Sequence, residues 1–113
     1  MSLLKSFGYA INGFIVAFRE QRNLKIHTAV AIAVVAFGIY FQISSLDWII
    51  LLIMISLVIS AELINTSLEN LTDLVTKERH PIAGKVKDIA AAAVLVMSIG
   101  AAIVGIIIFA KYV

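Results

Sequence analysis

Residues 48–73 read Trp48-Ile-Ile-Leu-Leu-Ile-Met-Ile-Ser-Leu-Val-Ile-Ser-Ala-Glu62-Leu-Ile-Asn65-Thr-Ser-Leu-Glu69-Asn-Leu-Thr-Asp73. The first fourteen carry no charge. At ~1.5 Å per helical residue they cover about 21 Å, short of a hydrocarbon core of ~30 Å. The span closes only if the helix runs on through Glu62 and Asn65 towards Glu69. Neither Gly nor Pro occurs from 46 to 80, so one continuous helix is expected there. A transmembrane helix over 48–69 therefore carries a carboxylate inside the bilayer.

Working outward, residues 28–46 and 89–110 form two further uncharged runs, each long enough to cross. The 113-residue chain is 62% hydrophobic, with nine Lys or Arg and seven Asp or Glu. Nine of the charges fall within 62–88, whereas 28–61 and 89–113 hold one each, Asp47 and Lys111. A soluble globule of this size has no interior for two such stretches, so soluble, disordered and nucleic-acid-binding readings are excluded despite a net charge of +2. The absence of cysteine removes disulfides, thiolate metal sites and thiol nucleophiles. The fold class is all-α integral membrane, in a single domain over 1–113.

Residues 1–27 are not a signal peptide, because Lys5, Asn12, Arg19, Glu20, Arg22 and Lys25 interrupt them throughout. Leu4, Phe7, Ile11, Phe14, Ile15 and Phe18 recur at three- and four-residue steps. This predicts an amphipathic helix within 1–27 on the cytoplasmic membrane surface, packed against the spans or not. Residues 76–87 carry Lys77, Arg79, Lys85 and Lys87, whereas 42–47 carry Asp47 and no base. The positive-inside rule then puts the N-terminus and 76–87 in the cytoplasm, and three spans satisfy the alternation.

Glu62, Asn65, Glu69 and Asp73 stand at offsets of 0, 3, 7 and 11, which at ~100° per residue align them on one stripe. With the outer edge near Trp48, Glu62 sits about 20 Å deep, Glu69 about 10 Å further at the headgroups, and Asp73 in water. A carboxylate in hydrocarbon costs roughly 2.5–3.5 kcal/mol on insertion scales, so it is neutralised, paired or functional. One buried acid above one interfacial acid suits a base that reaches a lipid headgroup and a ligand for a hydrated cation. Mg²⁺, which takes one or two carboxylates together with phosphate oxygens, matches that sparse supply. The bland readings are a helix-packing hydrogen bond for Glu62 and solvated helix ends for Glu69 and Asp73.

A second cluster, Gly84-Lys85-Val86-Lys87-Asp88, reads alone as a membrane anchor. Beside the acidic stripe, Lys87 is a phosphate contact that Asp88 orients. Ser98, Ala101, Ala102 and Gly105 have helix-packing spacing. Arg19-Glu20-Gln21-Arg22-Asn23 is a solvated boundary, and His27 and His80 lack partners at ligand spacing. Tyr40, Trp48 and Tyr112 read as interfacial aromatics. No Gly-rich phosphate loop and no HExxH zinc motif is present.

The E-x-x-N-T-x-x-E segment, Asp73, His80-Pro81 and Ala83-Gly84-Lys85-Val86-Lys87-Asp88 together closely resemble the small prokaryotic diacylglycerol kinase/undecaprenol kinase family, over essentially the whole chain. The stretch over 22–27 is more similar to Gram-positive-type members, several of which prefer undecaprenol. The resemblance implies a homotrimer with composite sites between subunits at the cytoplasmic face of a prokaryotic cell membrane. ATP and Mg²⁺ enter from the cytoplasm and a lipid alcohol from the bilayer. By position, Glu62 matches the base for the lipid hydroxyl and Asn65 its polar neighbour. Glu69 matches a metal-binding glutamate that also serves the nucleotide, and Lys87 and Asp88 the nucleotide-contacting pair, with Tyr9, Glu78, Arg79 and His80 on the nucleotide side. One position departs: where the family commonly has a metal-binding glutamate, this chain has Gln21. Either Gln21 supplies a neutral oxygen, or Glu20 substitutes, or metal affinity is weaker.

The residues together with the resemblance point to an ATP- and Mg²⁺-dependent lipid kinase acting on a primary alcohol, and the likeness over 22–27 alone implies a slight preference for undecaprenol over diacylglycerol. The rival is a small proton-coupled exporter, for which four spans and no Lys-Asp pair beside a second acid are expected.

Overall fold

The computed structural model describes residues 2–113 and is wholly helical: α1 (Leu3–Glu20), α2 (Arg22–Phe41), α3 (Ser45–Val75) and α4 (Pro81–Ala110). Three of these, α2, α3 and α4, are long and apolar enough to cross a membrane. The chain is a multi-pass membrane protein.

The helix limits differ from the uncharged runs in ways that local chemistry explains. The N-terminal helix ends at Glu20 rather than continuing to 27. Gln21 adopts an extended conformation (φ −112°, ψ 113°), and its N–H caps the helix by donating to the Ala17 carbonyl. Arg22 to His27 therefore form the first turns of α2, where the long side chains of Arg22 and Lys25 are exposed and Leu24 is buried. At its other end α2 stops at Phe41, five residues before the uncharged run does, because Gln42 takes the left-handed conformation (φ 52°). The N–H groups of Gln42 and Ile43 then close on Ile39 and Gly38. Ser44 caps α3, its hydroxyl accepting from the Asp47 N–H at 3.2 Å.

Of the unbroken stretch over 46–80 the part up to Val75 forms one helix of 31 residues, about 46 Å long, which extended Thr76 ends; α3 is thus longer than a hydrocarbon core, with the excess at its charged end. His80 and Pro81 start α4 eight residues before its uncharged run. The His80 Nδ1 accepts from the Ile82 N–H at 3.1 Å, and Pro81 occupies a first-turn position where no N–H is needed.

α3 packs most extensively on α4 and next on α2. The tightest packing lies at the 42–47 turn, where Ile43, Leu51 and Ile108 are buried beneath Phe41, Trp48 and Phe109. Gly38 lets the Trp48 ring approach, since a Cβ there would lie 2.7 Å from Cη2. The same end is clamped by charge. Buried Asp47 accepts from Lys111 at 2.8 and 3.0 Å and from the Tyr112 hydroxyl at 2.6 Å. Asp47 and Tyr112, read from sequence as a turn charge and an interfacial aromatic, thus tie α3 to the end of α4.

Candidate functional site

At the opposite end, α3 presents its polar stripe to the α1–α2 junction and to α4. Glu62, Asn65 and Thr66 are buried, Glu62 to 1% exposure. The Thr66 hydroxyl bonds the Glu62 carbonyl within the helix and makes no demand on the carboxylate.

Glu69 is the hub. One oxygen accepts from Gln21 Nε2 at 2.8 Å and the other from Asn65 Nδ2 at 3.1 Å. The break that ends α1 at Gln21 is what lets its side chain reach α3. Glu20 faces elsewhere, its carboxylate accepting from Asn70 at 3.0 Å. Of the two residues weighed for the departing position, Gln21 is the one beside Glu69. Asn65 Oδ1 is buried without a hydrogen-bond partner. The cluster therefore offers one carboxylate, an orphaned amide oxygen and a second amide. Among the described residues no group of three or more His, Cys, Asp or Glu converges. Such a sparse all-oxygen set suits a hard cation that keeps waters and shares phosphate oxygens, as Mg²⁺ does.

Both oxygens of Glu62 lack a hydrogen bond. Their one close polar neighbour is His27, whose Nε2 stands 3.2 Å from Oε1. That is ion-pair distance without hydrogen-bond alignment, and alignment decides bond strength, so the contact is a close electrostatic one. Ser98 of α4 lies on the other side, its Oγ 3.5 Å from the same Nε2. His27 was read from sequence as having no partner and Ser98 as a packing residue. The topology held the missed signal. His27 lies fourteen residues before the end of α2 and Glu62 seventeen after the start of α3, so folding the hairpin at 42–44 brings them to similar depth.

From this polar end an apolar cavity of about 510 Å³ runs between α2, α3 and α4. His27 and Ser98 stand among its lining residues, with Val34, Met54, Gly105 and Phe109 further along.

The cationic element is arranged differently from expectation. Lys87 pairs with Asp73 across the α3–α4 gap at 2.6 Å, so Asp73 rather than Asp88 orients it. Tyr9 is exposed on α1, and Glu78, Arg79 and His80 are exposed in the 76–80 connection. Among the described residues no side-chain hydrogen bond or ion pair joins Tyr9, Glu78, Arg79, His80 or Asp88 to the Glu69 cluster.

The fold and the site together define a class: a small helical membrane protein with a buried acid in line with an oxygen cluster at its charged end. The profile described as "Prokaryotic diacylglycerol kinase" matches residues 8–109. An undecaprenol kinase from Bacillus subtilis (strain 168) is 39% identical over 105 residues, covering 93% of this chain and 85% of that protein. A diacylglycerol kinase from Synechocystis is 41% identical over 105 residues, 92% of this chain but 60% of that longer protein. A diacylglycerol kinase from Escherichia coli (strain K12) is 25% identical over 101 residues. The chain belongs to the prokaryotic diacylglycerol kinase family, and with it to the lipid kinases.

Proposed function

We propose that the protein transfers the γ-phosphoryl group of ATP to the primary hydroxyl of a membrane lipid alcohol, with Mg²⁺ as cofactor. The observation that carries this reading is the Glu62 carboxylate, buried to 1% exposure with both oxygens free of hydrogen bonds, two helical turns from the Glu69 cluster. An acceptor in that state is matched to an incoming hydroxyl. Glu62 takes the hydroxyl proton as the alcohol oxygen bonds to the γ-phosphorus, and ADP departs with the bridging oxygen. Glu62 and Asn65 are the catalytic residues. Glu69, Gln21 and the Asn65 oxygen would hold Mg²⁺, whose contribution when bound is to neutralise phosphate charge. Lys87 exchanges Asp73 for phosphate oxygens, and Asp88, Tyr9, Glu78, Arg79 and His80 line the nucleotide side. Positioning and charge neutralisation dominate this chemistry.

We place the N-terminus and the 76–87 connection in the cytoplasm of a prokaryotic cell, with α1 on the membrane surface and three chains forming a trimer. Exposed Leu4, Phe7 and Ile11 on α1 support the surface placement. Undecaprenol is the preferred alcohol, supported by the Bacillus relative that matches along most of both chains. Three candidate spans and the family membership weigh against the proton-coupled exporter.

The test is Glu62→Gln, which keeps shape and removes the base. Turnover in mixed micelles is expected to fall at least a hundredfold, in the range of general base loss, while the oligomer survives. Near-normal phosphorylation by this variant sinks the assignment. Parallel assays with undecaprenol and diacylglycerol decide the substrate.

A further inference from the structure

His27 is the residue at the head of the cavity for which the reaction outlined above has no use. Its partners fix what it does. The single proton of Ser98 Oγ is donated to the Val94 carbonyl at 2.8 Å, so towards His27 that oxygen only accepts. In the Nε2–H tautomer, the one this geometry favours, His27 is a donor between two acceptors, Ser98 Oγ at 3.5 Å and Glu62 Oε1 at 3.2 Å. An N–H shared between two acceptors need not align fully with the carboxylate. Glu62 has no other donor: neither of its oxygens receives a hydrogen bond, and the neighbouring amides of Asn65 and Gln21 are engaged by Glu69.

We propose that His27 is the positioning residue of Glu62: its Nε2–H, braced by Ser98, holds one carboxylate oxygen and leaves the other to accept the proton of the incoming alcohol. This rests on the reading of Glu62 as the base. His27 does not touch the reacting atoms and acts through the carboxylate alone.

The experiment compares His27→Phe, His27→Ala and His27→Gln in the full-length protein reconstituted with lipid alcohol. Phe keeps the ring volume without a donor, and the Gln amide places an N–H near the Nε2 position. Loss of a hydrogen bond to a charged group predicts a fall in kcat of about ten- to a hundredfold for Phe and Ala. KM for ATP stays unchanged, and Gln recovers most of the loss. In bilayers, the ¹⁵N signal of His27 Nε2 is that of a protonated nitrogen and shifts in Glu62→Ala. Full activity in His27→Phe, or equal losses in all three variants, overturns the positioning role while an inactive Glu62→Gln keeps the base. An unshifted ¹⁵N signal in Glu62→Ala overturns it independently of activity. An active Glu62→Gln overturns both.

Discussion

At the residue scale the chain separates roles along one helix face. Glu62 is buried and unbonded, whereas Glu69 accepts from two amides, Asn65 on its own helix and Gln21 at the α1–α2 junction. The offsets of 3 and 7 made this stripe legible, because helical phase depends on sequence spacing alone. His27 was not legible from spacing, since its partner is on another helix thirty-five positions away. The Gln21 amide beside Glu69 leads to a direct prediction. Gln21→Glu adds a second carboxylate to the cation set, and ligand charge count tunes affinity for hard cations. Half-saturating Mg²⁺ for activity is expected to fall about tenfold, the scale of one added charge-assisted contact; an unchanged titration places the cation elsewhere. Lys87→Met addresses the phosphate contact. KM for ATP should rise about ten- to a hundredfold, with a smaller change in KM for the lipid.

At the scale of elements, the helices were legible and their ends were not. Uncharged runs mark where lipid can lie, but helices end where a cap or a backbone conformation stops them. Gln42 does this by turning left-handed and Gln21 by going extended. Nor does any sequence pattern pair Asp47 with Lys111 and Tyr112, which stand more than sixty positions apart. That clamp has a pH signature. The hydrogen bonds from Lys111 to Asp47 hold the ammonium above its ordinary value of 10.5, outweighing the opposing effect of burial. A cation whose folded value is raised stabilises the fold fully below the unfolded value and loses that contribution as pH rises through the folded one. Thermal unfolding in detergent should therefore be insensitive to this pair from neutral pH to about 10, then weaken above 10.5. Lys111→Met should remove that alkaline limb and also lower stability at neutral pH, because the Asp47 carboxylate, 4% exposed, is left with the Tyr112 hydroxyl but no counter-charge.

At the scale of the whole molecule, the charge deficit identified the solvent, since apolar helices without charges need lipid or one another. It did not identify the assembly, because lipid-facing and protein-facing surfaces are equally apolar. The isolated protomer is a layer of 50 × 38 × 19 Å, and α3, which carries the polar stripe, exposes Leu52, Ile53, Ser56, Leu57 and Ser60 along one side. Ser56 and Ser60 are a helical turn apart, and small hydroxyl residues at that spacing allow close backbone approach and hydrogen bonding across helices. Lipid gains nothing from a hydroxyl, so this face suits α3 of neighbouring copies around a threefold axis. The chain has no cysteine, which makes the test clean. Ser60→Cys should cross-link between protomers under mild oxidation, whereas cysteine at Ile103, on the exposed face of α4, should do so far less. Protein mass in detergent should be three times the 12.3 kDa protomer and should fall in Ser56→Leu/Ser60→Leu. If that double variant stays trimeric, α3 is not the central contact, and the Glu69 clusters do not surround a shared axis.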